Sequence, residues 1–454
     1  MNEFIERFRE ALRIKTDWQT DEAAAVASLT QFQDFLVKTY PVFHQNTERW
    51  VLSPYSVAYR WRGHAAESAP ADKPHDKLPV LPVLLVGHYD VVPAETAKWT
   101  VDPFGAEIKD GFVYSRGALD MKHIIAAMME SAENLCKRGF KPERDVWIVL
   151  GGDEERNGIK GAKETAKWFK EKEIKFSFIF DEGTPIALNQ IKGINKPLAL
   201  IGIEEKGYLS LNLTVEQKPG HASQPPQEQA AAVLAGALLR LSRRPFPWLL
   251  TPAVESFFKQ LGFHAHGLQA FVMKHARALG PLFFKAAATT PATRALVRNT
   301  IAMTQLEGSS ADNVLPSKVR AVINIRLLPP WTVEKAIEWI TKVIKDERVN
   351  VSILGLGTNP TEAGPGQAEQ KSPGWKEITS ALNNSFPGVP ALPFLMPATT
   401  DSRHYKDLSP YIFRFNPCIL TPDELSRVHG HDERISFENL EYGLKFYTAL
   451  FEQF

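Results

Sequence analysis

Leu84-Leu85-Val86-Gly87-His88-Tyr89-Asp90 is the stretch on which the fold of this chain turns. Its leading apolar residues read as a buried strand, and the glycine after them releases the chain. His88 and Asp90 follow, just past the expected C-terminal end of that strand. Open α/β sheets carry their sites there, and side chains two apart on extended backbone point the same way. A histidine and an aspartate so placed suit a metal-bound imidazole steadied by a carboxylate. Alone the pair says little; later segments supply the partners it lacks.

Working outward, apolar runs alternate with helical patterns, and the runs end in acids. Phe112 to Ser115 is extended and leads into Arg116-Gly117-Ala118-Leu119-Asp120-Met121-Lys122, and Ile124 to Lys137 is a helix rich in Ala, Met and Leu. Asp145 to Leu150 runs into Gly151-Gly152-Asp153-Glu154-Glu155, Lys160 to Glu171 is helical, and Phe176 to Phe180 ends in Asp181-Glu182-Gly183. This alternation predicts an α/β domain with a largely parallel sheet. Upstream, Met1 to Asp17 has amphipathic helical spacing, Ala23 to Tyr40 is a second helix, Val51 to Arg62 is a strand interrupted by a turn, and Glu67 to Lys77 is a polar loop.

The character changes near Glu204. Tyr208 to Val215 and Val319 to Leu328 alternate in the antiparallel manner around an Ala/Leu-rich helix, Gln227 to Arg243. Within this α+β insert, Phe246 to Thr304 is unusually rich in Phe, Ala, Leu and His and reads as several helices punctuated by Pro and Gly. After Pro329-Pro330 the α/β pattern returns, with a helix over Thr332 to Lys345 and a strand over Val349 to Leu356. The predicted division is an α/β domain over 1–204 and 329–454, interrupted by a lid over 205–328.

The length of 454 residues exceeds what a single core serves. Hydrophobic content of 44%, charged content of 23% and a net charge of +1 are those of an ordinary globular protein, and no basic surplus points to nucleic acid. Cys136 and Cys418 are the only cysteines, so no disulfide framework holds the chain. No stretch is long and apolar enough to span a bilayer, and the N-terminal helix lacks the apolar core of a signal peptide. A cytoplasmic protein is the expectation.

His88, Asp120, Glu155, Asp181 and His429 form a set of imidazoles and carboxylates. Nitrogen and oxygen ligands without thiolates suit zinc, with cobalt or manganese as alternatives. The set exceeds the usual ligands of one catalytic zinc and suits two zincs sharing a carboxylate. In Glu154-Glu155, adjacent carboxylates on a turn can point differently, so that one binds metal while the other takes a proton. Taken singly, Glu154-Glu155, Asp181-Glu182-Gly183 and His429-Gly430-His431-Asp432-Glu433 also read as solvated turns and polar loops. Their recurrence at the ends of apolar runs argues against that reading.

A resemblance sharpens the picture. Gly87-His88-Tyr89-Asp90-Val91-Val92-Pro93, Trp99 with Asp102-Pro103-Phe104, Arg116 to Lys122, Asp153-Glu154-Glu155, Asp181-Glu182-Gly183, Gly220-His221-Ala222-Ser223, Asn313-Val314-Leu315-Pro316, Arg326 and His429-Gly430 follow one another over nearly the whole chain. In that order they resemble the co-catalytic zinc metallopeptidase family that includes carboxypeptidase S, aminoacylase and glutamate carboxypeptidase. The resemblance implies a mainly parallel α/β zinc-hydrolase domain with an inserted α+β lid and dimerisation domain. It implies His88 and Asp181 on one zinc, Glu155 and His429 on the other, and Asp120 bridging them. Asp90 would orient His88, Glu154 would be the general base, and a cis peptide would follow Asp120. His221 in the lid would polarise the scissile carbonyl, and Asn313 and Arg326 would hold the substrate carboxylate. His429 rather than His431 takes the metal role because His-Gly precedes Asp-Glu in the family pattern. Ser115 stands where a glycine is common. The long apolar segment and Gly220-His221-Ala222-Ser223-Gln224-Pro225-Pro226 are most similar to the carboxypeptidase S branch, which includes hydrolases of N-fatty-acyl amino acids.

The implied function is metal-dependent hydrolysis of an amide beside a free carboxylate, through a water shared by two zincs with Glu154 as base. The substrate would be a small peptide or, alternatively, an N-acyl amino acid, including N-fatty-acyl ones, and a homodimer through the lid is the family expectation. A non-catalytic binding homologue is the reading of another class. It is disfavoured because every expected ligand and Glu154 are present. The apolar segment is read as lid packing or dimer interface, with a lipid-binding role as the alternative.

Overall fold

The structure is a computed structural model that describes residues 1–18, 21–64, 80–189, 191 and 194–454. The polar loop expected over Glu67 to Lys77 lies outside the described residues. Contacts divide the chain into two compact units: Met1–Ile203 with Ala363–Phe394 and Thr400–Phe454, and Glu204–Glu362 with Leu395–Thr399.

The first unit is built on an eight-stranded sheet. In spatial order its strands are Thr47–Ser53, Ser56–Trp61, Val146–Gly151, Val83–His88, Ile179–Ala187, Ile412–Leu420, Leu198–Glu205 and Ala391–Met396. The middle strands Val146–Gly151, Val83–His88, Ile179–Ala187 and Ile412–Leu420 run parallel, and antiparallel strands flank them. Every residue of Val83–His88 is buried, as expected of a parallel strand covered on both faces. Leu84 and Val86 pack with Trp147, Val149, Ala162, Ala166 and Phe169 on one face. Toward the other, a Cβ on Gly87 would stand 2.9 Å from the Met121 side chain, beside Ile125. Glycine at 87 therefore lets the following helix, Lys122–Lys137, close on the strand just before His88. That helix is buried along most of its length and packs against Phe437–Phe451.

The second unit is a four-stranded antiparallel sheet in the order Thr300–Glu307, Lys318–Leu327, Gly207–Glu216, Asn350–Ile353. Strict alternation gives its two faces different characters. Leu209, Leu211, Leu213, Ala321, Ile323 and Ile325 face helices Ala230–Arg243 and Val333–Ile344 in one apolar core. The opposite face carries Tyr208, Ser210 and Asn212 opposite Arg326, Asn324 and Val322. The α/β pattern expected to resume at 329 resumes at Ala363 instead. Asn350–Ile353 pairs with Gly207–Glu216, and Val333, Ile340 and Ile344 fill the core of the second unit. The segment expected to be helical over Phe246 to Thr304 holds the short helices Pro252–Leu261, Gly267–Lys274, Gly280–Ala287 and Pro291–Leu296, but from Thr300 it is the strand Thr300–Glu307, paired with Lys318–Leu327. Two of the helices begin as Thr-Pro, the threonine hydroxyl accepting a backbone N–H from Val254 or Thr293.

Thr251, the first of these caps, also donates its hydroxyl to the buried Glu204 carboxylate, which accepts the Ala253 N–H as well. Burial raises the Glu204 pKa to about 7, against the hydrogen bonds that lower it. Because the folded value lies above the unfolded one, Glu204 favours folding fully below its unfolded value, and that contribution is lost as pH rises through 7. Glu204→Gln is therefore expected to stabilise the protein at pH 8 by about 1–3 kcal/mol and to do nothing at pH 4. Thermal melts at both pH values check this; a loss of stability at pH 8 would contradict it.

Candidate metal centre

All residues of the centre belong to the first unit: His88 and Glu182 lie on the strands Val83–His88 and Ile179–Ala187, Asp120, Glu154 and Glu155 follow the strands Phe112–Tyr114 and Val146–Gly151, and His429 follows the short helix Pro422–Leu425. His88 ends Val83–His88, and its Nε2 lies 3.2 Å from Asp120 Oδ1 and 3.2 Å from Glu182 Oε1. His429, from the loop before Arg434–Ser436, places its Nε2 2.8 Å from Asp120 Oδ2 and 3.1 Å from Glu155 Oε1. The two oxygens of Asp120 thus face two different imidazoles. Potential ligand atoms of His88, Glu154 and Glu182 lie within 4.8 Å of one another, as do those of Asp120, Glu155 and His429. The Asp120–Met121 peptide is cis, as the resemblance implied.

Asp90 organises this arrangement more widely than expected. Its carboxylate accepts the backbone N–H groups of Glu154 and Glu155, both at 3.1 Å, and so fixes the turn that presents both glutamates. His88 Nδ1 lies 3.0 Å from the Asp90 carbonyl oxygen and 3.4 Å from its carboxylate. Either contact sets the ring so that Nε2 faces Asp120 and Glu182.

The electrostatics describe a site short of positive charge. Burial raises Glu154, Glu155 and Asp181 above the ordinary carboxylate range, and burial with the neighbouring Asp120 charge takes Glu182 to about 8. Asp120 moves the other way: burial opposes its ionisation, but His429 and His88 outweigh it. Hydrogen bonds to Asp120 and Glu155 raise His429 to about 10. Clustered carboxylates facing imidazole nitrogens fit a pair of hard-to-borderline divalent cations, and both thiols are buried.

Of the residues expected to hold metal, His88, Asp120, Glu155 and His429 come together, while Asp181 stands apart. Its Oδ1 accepts the Glu182 N–H and its Oδ2 accepts the Ser402 N–H, both at 2.8 Å, and Arg414 lies beside it in strand register. Consecutive strand residues face opposite ways, so with Asp181 turned inward Glu182 faces the imidazoles. Gly183 permits this close strand approach, since a Cβ there would lie 2.4 Å from the Arg414 backbone. His431 is exposed and outside both groups.

Other contributors escaped sequence reasoning. The buried Glu433 carboxylate accepts from Arg116 Nη1 at 2.5 Å, the Leu119 N–H at 2.7 Å and the Asp120 N–H at 3.3 Å. Arg116 Nη2 also donates to the carbonyls of His429 and Gly430. Together they tie the Asp120 loop to the His429 loop. Their only signal was an Arg and a Glu inside segments already suspected.

The remaining expected residues lie in the second unit. His221 is exposed on a two-stranded ribbon with Val314–Leu315, and the Ala222 N–H donates to the Asn313 carbonyl at 3.0 Å. His221 Nδ1 lies 2.8 Å from the Ser223 hydroxyl. Arg326 lies over the Tyr208 ring, 4.8 Å from its centroid, on the polar sheet face. Lys206 is buried, and burial with repulsion from Arg326 lowers its pKa to about 7. Among the described residues neither cation has a hydrogen-bonded carboxylate.

Residues 84–453 match peptidase family M20/M25/M40. The chain is 34% identical over 453 residues to the N-fatty-acyl-amino acid synthase/hydrolase PM20D1 of Xenopus tropicalis, covering 99% of this chain and 85% of that protein. It is 35% identical over 423 residues to the probable carboxypeptidase S-like 2 of Dictyostelium discoideum, covering 92% and 78%. Its fold matches the M20 family metallo-carboxypeptidase Sso-CP2 of Sulfolobus solfataricus with a TM-score of 0.71, at 17% identity over 100% of this chain and 99% of that one. The chain belongs to peptidase family M20/M25/M40. It is a hydrolytic enzyme, and its reaction is metal-dependent amide hydrolysis.

Proposed function

We propose that the enzyme hydrolyses an amide whose nitrogen belongs to a residue with a free carboxylate, using two zinc ions. One would be held by His88, Glu182 and one oxygen of Asp120, the other by Glu155, His429 and the second oxygen. The observation that carries this reading is the position of Asp120 between two imidazoles, each also facing a glutamate. When bound, two such cations acidify water toward neutral pH and polarise a carbonyl. Glu154 then accepts the proton of the attacking water and returns it to the leaving nitrogen. Asp90 keeps Glu154 in reach by holding its backbone. His221 donates to the oxygen on which charge develops, and Asn313 and Arg326 hold the carboxylate, the arginine through its bidentate fork. A homodimer through the second unit belongs to this reading, on the strength of the family resemblance.

Two substrate classes satisfy this chemistry, a dipeptide or peptide C-terminus and an N-acyl amino acid, and the named relatives include one of each kind. A matched pair separates them: a dipeptide and a long-chain acyl derivative of the same C-terminal residue, each assayed with and without chelator. Chelator-sensitive cleavage of at least one is expected; cleavage of neither by zinc-loaded enzyme would contradict the reading. Arg326→Ala should raise KM by about tenfold or more with a smaller effect on kcat, because it contacts a part of the substrate that does not react. A normal KM would remove Arg326 from carboxylate binding.

A further inference from the structure

The helical segment of the second unit carries more apolar surface than its own packing uses. Its core is complete: Phe257, Phe258, Leu261, Val272 and Phe283 are buried, with the Phe258 and Phe283 rings 4.9 Å apart. Outside that core, Phe263 is 61% exposed, Leu268 72%, Phe271 54% and Leu282 46%. Leu268 and Phe271 are one turn apart on Gly267–Lys274 and share a face. Lys274 lies over the Phe263 ring at 4.4 Å, and the Phe271 ring meets His275 at 4.7 Å. Leu268, Phe271 and Lys274 on this helix, with Phe263 under the Lys274 ammonium, give it an exposed side of aromatic, leucine and cationic side chains. Single exposed apolar residues are ordinary, whereas clustered large ones mark a contact surface.

Charge indicates what that surface contacts. Residues 246–300 hold Lys259, Lys274, Arg277, Lys285, Arg294 and Arg298. Their one carboxylate, Glu255, is engaged by Arg277 at 2.8 Å. The chain as a whole has a net charge of only +1, so the basic surplus is local to the segment that carries the exposed apolar side chains. Exposed apolar side chains on a segment with a basic surplus, one of whose lysines lies over Phe263, match an interface with an apolar interior and anionic headgroups. We propose that this segment docks the enzyme on an anionic lipid surface. Phe263, Leu268 and Phe271 enter the headgroup boundary, and Lys259, Lys274 and Lys285 meet the lipid charges. Among the described residues no helix is long and apolar enough to cross a membrane. The docking does not depend on which amide the metal centre cleaves.

The test is co-sedimentation of the full chain with vesicles of phosphatidylcholine alone and with vesicles rich in phosphatidylglycerol. Binding is expected to the anionic vesicles, weakening as salt is raised. The double variants Leu268→Ser/Phe271→Ser and Lys259→Glu/Lys285→Glu should each reduce it by about tenfold or more, with melting temperature and hydrolysis unchanged. Absent binding, equal binding to both vesicle types, or variants that bind like the parent would overturn the proposal. So would concentration-dependent self-association without lipid that Leu268→Ser/Phe271→Ser abolishes, because the face would then belong to a second copy.

Discussion

Glu154→Gln is expected to lower kcat by about two to four orders of magnitude while both metals stay bound. Glutamine keeps the side-chain shape but cannot take a proton from water. The Asp90 carboxylate holds the backbone of residue 154, so the substitution leaves the turn in place. The side chain of Glu154 also lies within ligand reach of His88 and Glu182, which makes metal content the decisive companion measurement. A slow variant that keeps both metals supports the role of base. A variant that loses one metal would make Glu154 a ligand, and near-normal turnover would leave the proton with another group.

The second large effect separates neighbours in sequence. Glu182→Ala should drop metal content from two ions per chain to one and abolish measurable turnover, because Glu182 faces the His88 imidazole. Asp181→Asn should keep both ions and weaken binding by about 10–100-fold, as expected of a group that orients a ligand without touching metal. Asp181 spends its oxygens on the Glu182 and Ser402 backbone, and an amide can accept only one of those bonds. Metal analysis of both variants checks the assignment; the reverse pattern would restore Asp181 as the ligand.

The choice between Asp181 and Glu182 also marks where sequence reasoning stopped. That an acidic pair ends the strand is visible in the chain, because the preceding run is continuously apolar. Which acid faces the site depends on how Ile179–Ala187 registers against Ile412–Leu420, a pairing with a strand more than two hundred residues away. The fate of 333–353 was hidden for a similar reason. Periodicity identifies a helix and a strand there but does not say which sheet a strand joins, and Asn350–Ile353 joins Gly207–Glu216. His429 is distinguishable from His431 in the sequence only through the family pattern, in which His-Gly precedes Asp-Glu. The buried Glu433 was not legible, since an acid in a polar loop gives no local sign that Arg116 and the Asp120 backbone need it. Lys206 likewise reads in sequence as an ordinary surface lysine, and only the fold buries it beside Arg326.

Zinc titration of the metal-free chain measures whether Asp120 joins two cation sites. Two zinc ions per chain are expected for the native sequence and none held tightly by Asp120→Ala, since each site loses an oxygen and the two imidazoles lose their common partner. A native chain that binds a single ion, or an Asp120→Ala chain that still binds two, would contradict this bridging by Asp120.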